Sequence, residues 1–446
     1  MNEYDSIDLY NENDCEVDLT KQRIIRTKSA DAEIQGLHKK YLKGKLVIQP
    51  AYQRHYVWDA KKASRLVESA LLGIPIPIIY LAETDNGQDN VIDGQQRLTS
   101  LFSFIDGTLP DGRPFKLTGL NVLTELKGKT FKDLDETIQD QILEYTIRTI
   151  TFTADSDPDL QYEIFTRLNT GSVALNDQEL RNCIFRGKFN DLIKELAEDS
   201  TFRTLLGLSK EHPRMKDVEL VLRFIAFYTN TYINYTPPVK KFLNDTMRTY
   251  RDINSIDEKQ IRNVFKKAVT NTHTLLGKNA FRRFKAGEQG VNNGGWNEQQ
   301  FNVALYDITM DSMARIDTPV LIKNRDAIYE AFVALMSEDE NFIKSLYYAT
   351  SDSNAINTRF QTWNAAIASI VNDPHADVRC FSRALKKSLY SQDSTCAICG
   401  QHIVDIDDAA VDHIEQYWMG GKTIPSNARL THRYCNCARS KHDTIK

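Results

Sequence analysis

The chain carries Cys396-Ala397-Ile398-Cys399 and, further on, His432-Arg433-Tyr434-Cys435, two metal-type pairs with the same two-residue gap. Nothing else in the sequence restricts the fold so tightly. A C-x-x-C knuckle grips one tetrahedral zinc ion without strain, and a second pair completes four ligands. The expected zinc shell is therefore Cys396, Cys399, His432 and Cys435, with Cys437 as a rival that needs a tighter C-x-C loop. Seven cysteines occur in 446 residues, and four of them lie between positions 396 and 437. The chain begins MNEYDSIDLYNENDCEVDLT, without the basic and apolar regions of a signal peptide. A cytoplasmic protein is the expectation, and clustered cysteines there point to metal before disulfides. So short a segment cannot bury enough apolar surface alone, so the zinc is expected to be structural, stapling a small domain over 376–446.

Between the two pairs lie residues with catalytic potential. Asp412 and His413 are adjacent, Asn427 follows fourteen positions after His413, and Asn436 follows Cys435. A carboxylate offers oxygen to a hard cation, and a neutral imidazole is available as a base near pH 7. Each alone has a plainer reading, a solvated turn for Asp412-His413 and a helix cap for Asn427. The ordered set of C-x-x-C, DH, GG, N and CN resembles the HNH nuclease family, whose core is a ββα-metal fold. The resemblance implies that Asp412 and Asn436 ligate a catalytic Mg or Mn ion and that His413 takes a proton from water. Asn427 would accept a hydrogen bond from the His413 ring and orient it. The sequence departs from the family in having His432 where cysteine is common. The spacing of Arg439 and Lys441 leaves open which of them meets phosphate.

At 446 residues the chain is long enough for two or three domains. With 41% hydrophobic and 26% charged residues the composition is that of a globular protein, and no run of about 18 apolar residues suggests a membrane span. A formal net charge of -4 excludes a uniformly basic coat, so a DNA-binding surface has to be local. Arg383, Lys386 and Lys387 before the knuckle, and Arg282, Arg283 and Lys285 in the middle, are candidate phosphate contacts or solvated faces. A helix is expected from Arg23, then an extended Leu46–Ile48, a helix from Asp59 to Leu72 and a strand over Ile74–Leu81. A short strand at Asn90–Ile92 leads through Asp93-Gly94 into a helix, and Tyr145–Phe152 alternates as a strand. Helices follow at Leu160–Leu168 and Asn176–Phe185. From about 190 to 375 strand signals are scarce and amphipathic helices fit, among them Val218–Tyr228 and Ile256–Leu276. Gly287–Gly295, with four glycines and two asparagines, reads as a loop.

The strand-turn-helix at Asp93-Gly94-Gln95-Gln96-Arg97 could receive an anion at its helix start, with Arg97 forking onto a phosphate. From spacing alone a capped turn is the simpler account. Together with Tyr52-Gln53-Arg54 through Asp59, Phe165 to Gly171 and Leu175 to Asn182, however, the motif resembles the DGQQR family of GmrSD- and SspE-like restriction systems. That resemblance, over about residues 20–190, implies a ParB/sulfiredoxin-like α/β core that binds and hydrolyses a nucleoside triphosphate, GTP or ATP, while sensing modified DNA. Asp93, Gly94, Gln95, Gln96 and Arg97 would line the nucleotide pocket with Gln53 and Arg54. Tyr56 and Trp58 could stack on a base or sit in the core. The organisation expected is an α/β nucleotide-binding domain at 1–190, a helical domain at 191–375 and the HNH domain at 376–446. Its activity would be NTP-regulated, metal-dependent cutting of phage or modified DNA in anti-phage defence. The rival readings are a zinc module that binds DNA without cutting it, under a regulatory nucleotide-binding domain, and a phage-protein sensor. The sequence leaves a homo-oligomer open.

Overall fold

The computed structural model describes residues 26–48, 56, 58–84, 86–154, 156, 158–168, 176–288, 292–372, 381–417 and 420–436. Gln53, Arg54, Cys437, Arg439 and Lys441 lie outside the described residues. The chain divides into two compact units. One runs up to Asn190 and adds Pro213–Met215, and the other holds Asp191–His212 and everything from Lys216 onward.

The first unit is a mixed α/β structure. Its elements are β1 (Thr27–Glu33), α1 (Ile34–Leu42), β2 (Leu46–Val47), α2 (Ala60–Leu71), β3 (Ile79–Glu83) and β4 (Asp89–Asp93). They continue with α3 (Gln95–Asp106), α4 (Glu136–Leu143), β5 (Thr146–Phe152), α5 (Pro158–Leu168) and α6 (Asp177–Ile184). The strands form one sheet in the order β1-β5-β3-β4-β2. β1 runs antiparallel to β5 and β4 antiparallel to β3, while β3 is parallel to β5 and β2 to β4. Alternation along the strands feeds two apolar layers. Ile79, Leu81, Val91 and Ile147 face the core shared with Val67, Leu98, Leu101 and Phe104. Ala82, Ile92 and Phe152 face the opposite layer with Tyr162, Phe165 and Leu180.

Two sequence expectations change here. The helix expected from Arg23 begins only at Ile34, and Thr27–Glu33 is an edge strand. Its side chains are almost all exposed, so no apolar period betrays it. What makes it a strand is the ladder to β5, from Thr27↔Phe152 to Glu33↔Thr146, which sequence neighbours cannot reveal. The strand expected over Ile74–Leu81 starts at Ile79, because Pro75 and Pro77 have no N–H for a ladder. The stretch before it is held by side chains instead: Tyr145 Oη accepts from Ile76 N at 3.0 Å and donates to Ile74 O at 2.7 Å.

The second unit is helical, with α7 (Lys188–Ala197) joining the two units in sequence. It holds α8 (Ser200–Leu206), α9 (Lys216–Asn230), α10 (Val239–Thr249), α11 (Ser255–Leu276), the short strands β6 (Phe284–Lys285) and β7 (Gly295–Trp296) and α12 (Val303–Arg315). α13 (Thr318–Glu338), α14 (Glu340–Ser345) and α15 (Ser353–Val371) complete the helical body. α12 is its axis, buried from Ala304 to Ala314. A buried carboxylate there must be paired. Asp307 accepts from Arg223 Nε at 2.6 Å and Nη2 at 2.8 Å, and from Arg359 Nη2 at 3.4 Å. The chain then enters α16 (Arg383–Gln392), the knuckle, β8 (Ala409–His413) and β9 (Ala428–His432), and Arg433–Asn436 turn back into helix. No helix among the described residues is long and apolar enough to cross a membrane.

Candidate functional site

The knuckle is built by a tight turn. Thr395 bridges His402, and Gly400 takes a φ of +73°, so the chain reverses and Cys396 N reaches Gln401 O at 2.9 Å. Cys396 and Cys399 thereby face the end of β9, where His432 closes the strand and Cys435 follows one helical turn later. One ligand atom from each of Cys396, Cys399, His432 and Cys435 lies within 4.8 Å of all the others. Cys399 Sγ is 3.4 Å from His432 Nδ1, about the edge of a tetrahedron around a zinc with bonds near 2.0–2.3 Å. Burial opposes charge on Cys396, but the backbone N–H groups of Cys399, His432 and Ile398 bring its thiol down to about 6. Burial and the crowding of Cys399 and Cys396 push the Cys435 thiol up to about 12. Crowded sulfurs that cannot all ionise alone are what a dication relieves. The donor set therefore fits zinc, and it is the one such Cys, His, Asp or Glu group among the described residues. The apolar core around it is small: Cys396, Ile403, Ala409, Leu430 and Cys435, flanked by Leu389 and Tyr390.

β8 and β9 carry the remaining residues in antiparallel register, with Asp412 opposite Arg429 and His413 opposite Ala428. Asp412 is 8% exposed, and its Oδ2 accepts from Arg429 Nε at 2.9 Å and Nη2 at 2.7 Å. The carboxylate expected to hold a cation thus already meets a guanidinium, a partner the sequence reading missed. His413 is half-buried, its ring 4.4 Å from that of Phe381 and 5.7 Å from that of Tyr417. Its Nε2 is 3.0 Å from Thr423 Oγ1. Asn427 is placed differently from the role the resemblance gave it. Its Oδ1 accepts from Glu415 N at 2.8 Å, and its Nδ2 donates to Glu415 O and Lys422 O at 3.1 and 2.9 Å. The carboxamide braces the loop between the strands. Asn436 is half-buried in the turn of helix after Cys435.

The helical body holds this module through Arg383 and Lys386, which the sequence offers as phosphate contacts or a solvated face. Arg383 donates to Asp407 Oδ1 at 3.2 Å and lies 3.8 Å above the Tyr329 ring, while Lys386 donates to Glu330 at 3.1 Å. Both are therefore intramolecular contacts, and only Lys387 of that trio is exposed. Arg433, between His432 and Cys435 of the tetrad, is bonded to the same Glu330 and to Asp407 O. Burial raises the Glu330 carboxyl, but Arg433 and Lys386 outweigh it and hold the group below its ordinary value. Burial and the neighbouring Arg433 push Lys386 down to about 8. Asp407 also accepts from Trp296 Nε1 and Tyr329 Oη, each at 2.8 Å. Asp408 accepts from Gly287 N and Gly294 N, each at 3.1 Å. The described part of the glycine-rich stretch lies between β6 and β7, which pair antiparallel, and its backbone at Gly287 and Gly294 receives a carboxylate. Arg282 is buried against the carbonyls of Ala280 and Glu298, and Arg283 covers the Tyr347 ring at 3.4 Å, so only Lys285 of that cluster is exposed.

In the first unit, Gly94 has a φ of +104°, and a Cβ there would lie 2.2 Å from Ile79 Cδ1, so only glycine turns β4 into α3 at this point. Arg97 donates to Pro77 O at 2.6 Å and Ile78 O at 3.2 Å, and pairs with Asp93. Gln96 Oε1 accepts from Trp58 N at 3.3 Å, and Gln95 opens the helix beside it. Tyr56 hydrogen-bonds Ser100 at 2.9 Å and packs on the core, while Trp58 lies under Lys62 Nζ at 4.6 Å.

The Cys396, Cys399, His432 and Cys435 group thus closes the β8–β9 hairpin that carries Asp412 and His413. Residues 396–443 match the HNH endonuclease family, and residues 34–186 match the family described as GmrSD restriction endonuclease, N-terminal domain. The chain thus joins a GmrSD-type N-terminal segment to an HNH-type C-terminal segment, the fusion the two motifs implied, with residues 187–395 outside both matches. No curated protein matches it.

Proposed function

We propose that this chain is a metal-dependent DNA endonuclease of restriction type, acting in the cytoplasm in anti-phage defence and controlled by a nucleoside triphosphate. The observation that carries the nuclease reading is the metal tetrad that fixes the end of β9 and so sets the Asp412-His413 strand beside it. Zinc there would be structural, since four protein donors leave no open position for water. A Mg or Mn ion on Asp412 and Asn436 would neutralise charge developing on the phosphate and the leaving oxygen. Asp412 has first to share or release Arg429. His413 takes a proton from water, the water oxygen bonds to phosphorus, the bond to the leaving oxygen breaks, and that oxygen gains a proton from solvent. Plasmid DNA incubated with Mg or Mn should be cut by the wild type, with His413→Ala slower by about 100-fold or more. Equal cutting by the two would sink the mechanism and favour a DNA-binding module without catalysis.

We take the N-terminal sheet as a ParB/sulfiredoxin-like core and divide the chain at 190 and 375. Asp93, Gly94, Gln95, Gln96 and Arg97, with Gln53 and Arg54, are proposed to hold GTP or ATP. The glycine turn into α3 supports this, since the backbone N–H groups at the start of a twelve-residue helix attract an anion. A second reading has its own support. Arg97 is already bonded to Asp93 and two carbonyls, so it can act as a brace that shapes the pocket without touching phosphate. A nucleotide-binding assay on Arg97→Ala separates the two. Loss of charge-dependent phosphate affinity in a protein of unchanged melting temperature supports contact, whereas a lowered melting temperature supports the brace.

A further inference from the structure

An imidazole that acts as a base needs its second nitrogen held, because that bond fixes both ring orientation and tautomer. In the β8–β9 loop the residue that meets His413 Nε2 is Thr423, at 3.0 Å from ring nitrogen to Oγ1. Asn427 has its carboxamide on Glu415 N, Glu415 O and Lys422 O. Those three bonds close the loop on either side of Thr423. Gly421 permits the closure, since a Cβ there would fall 1.9 Å from Glu415 O and 3.0 Å from Asn427 Nδ2. Ile414 N also bonds Asn427 O at 2.9 Å, which ties the residue after His413 to the same brace. The rings of Phe381 and Tyr417 lie beside the imidazole and restrict its rotation.

We propose that Thr423 is the positioning residue of His413. Its hydroxyl oxygen accepts the Nε2 proton, so the ring rests as the Nε2–H tautomer and presents Nδ1 as the basic nitrogen toward the attacking water. Asn427 acts one step back, holding the loop that holds Thr423. The inference rests on the nuclease reading for its catalytic consequence and on the loop geometry for the contact itself.

The test uses the full chain with Thr423→Val, which keeps shape and removes the hydroxyl, and Thr423→Ser, which restores it. Steady-state cleavage of plasmid DNA with Mn should show kcat down about 10–100-fold in Thr423→Val with KM within about 3-fold of wild type, and Thr423→Ser close to wild type. A long-range 1H–15N spectrum of 15N-histidine protein at one neutral pH, with His413 assigned by its loss in His413→Gln, should show the proton on Nε2 in wild type and a mixture in Thr423→Val. Wild-type kcat in Thr423→Val, or an Nδ1-protonated ring in wild type, overturns the proposal. If the wild type itself never cuts DNA, the nuclease reading fails, while the ring spectrum still decides the Thr423 contact.

Discussion

Gly294 shows how one missing methyl group fixes two modules together. A Cβ at that position would lie 2.3 Å from Asp408 Cγ, inside the space the carboxylate occupies when it accepts from the glycine's N–H. Gly294→Ala should therefore expel Asp408 and strand it buried, lowering stability by about 1–3 kcal/mol in urea unfolding. Gly295→Ala is the control, since nothing lies within 4 Å of its added carbon, and it should change little. Similar behaviour of both variants would show that backbone freedom, and not the Asp408 contact, decides the site. Asp307 poses a harsher case. Removing its carboxylate as Asp307→Ala leaves Arg223 and Arg359 buried without their shared anion. A loss of about 3–5 kcal/mol in the same unfolding assay is expected.

The C-terminal hairpin has two supports, the Cys396, Cys399, His432 and Cys435 tetrad and the dock on the helical body. Its apolar core is too small to hold β8 against β9 unaided. Chelation, or Cys399→Ser, should melt the hairpin and abolish cutting. One bound zinc per chain in wild type, lost in the variant, is the measurement, and a zinc-free protein that still cuts would contradict it. The dock has a pH signature. The Glu330 carboxyl is held below its ordinary value in the folded chain, so its contribution is present above about pH 4.5 and lost as pH falls through the lower folded value. The stability gap between wild type and Glu330→Gln should be full at pH 7 and shrink below pH 4. Cys396, Cys399, His432 and Cys435 were legible because ligand chemistry and spacing survive translation into one dimension. α2 and α3 were legible from apolar periods and from Asp59, whose side chain caps Lys62 N at 2.7 Å. β1 was not, because its identity comes from a partner more than a hundred residues away. Thr423, Arg429 and Glu330 were equally silent, since a lone threonine, arginine or glutamate gains meaning only from what the fold sets beside it.

A GmrSD-type N-terminal segment and an HNH-type segment in one chain raise the question of whether one governs the other. If the GmrSD-type segment merely accompanied the nuclease, the proposed binding of a nucleoside triphosphate and the cutting rate would vary independently. Regulation instead requires that nucleotide binding favour one state of the full chain over another, and the shift cannot exceed the difference in affinity between those states. Cutting of plain and modified DNA should therefore depend on added GTP or ATP in wild type. Asp93→Ala should remove that dependence without touching the zinc content or the His413 chemistry, because Asp93 belongs to a different compact unit from the hairpin. The expected result is a cleavage rate that no longer changes with nucleotide, fixed at either the stimulated or the unstimulated level. A nucleotide response in Asp93→Ala equal to that of wild type would remove the DGQQR motif from the control of cutting and leave the HNH-type module as an autonomous nuclease.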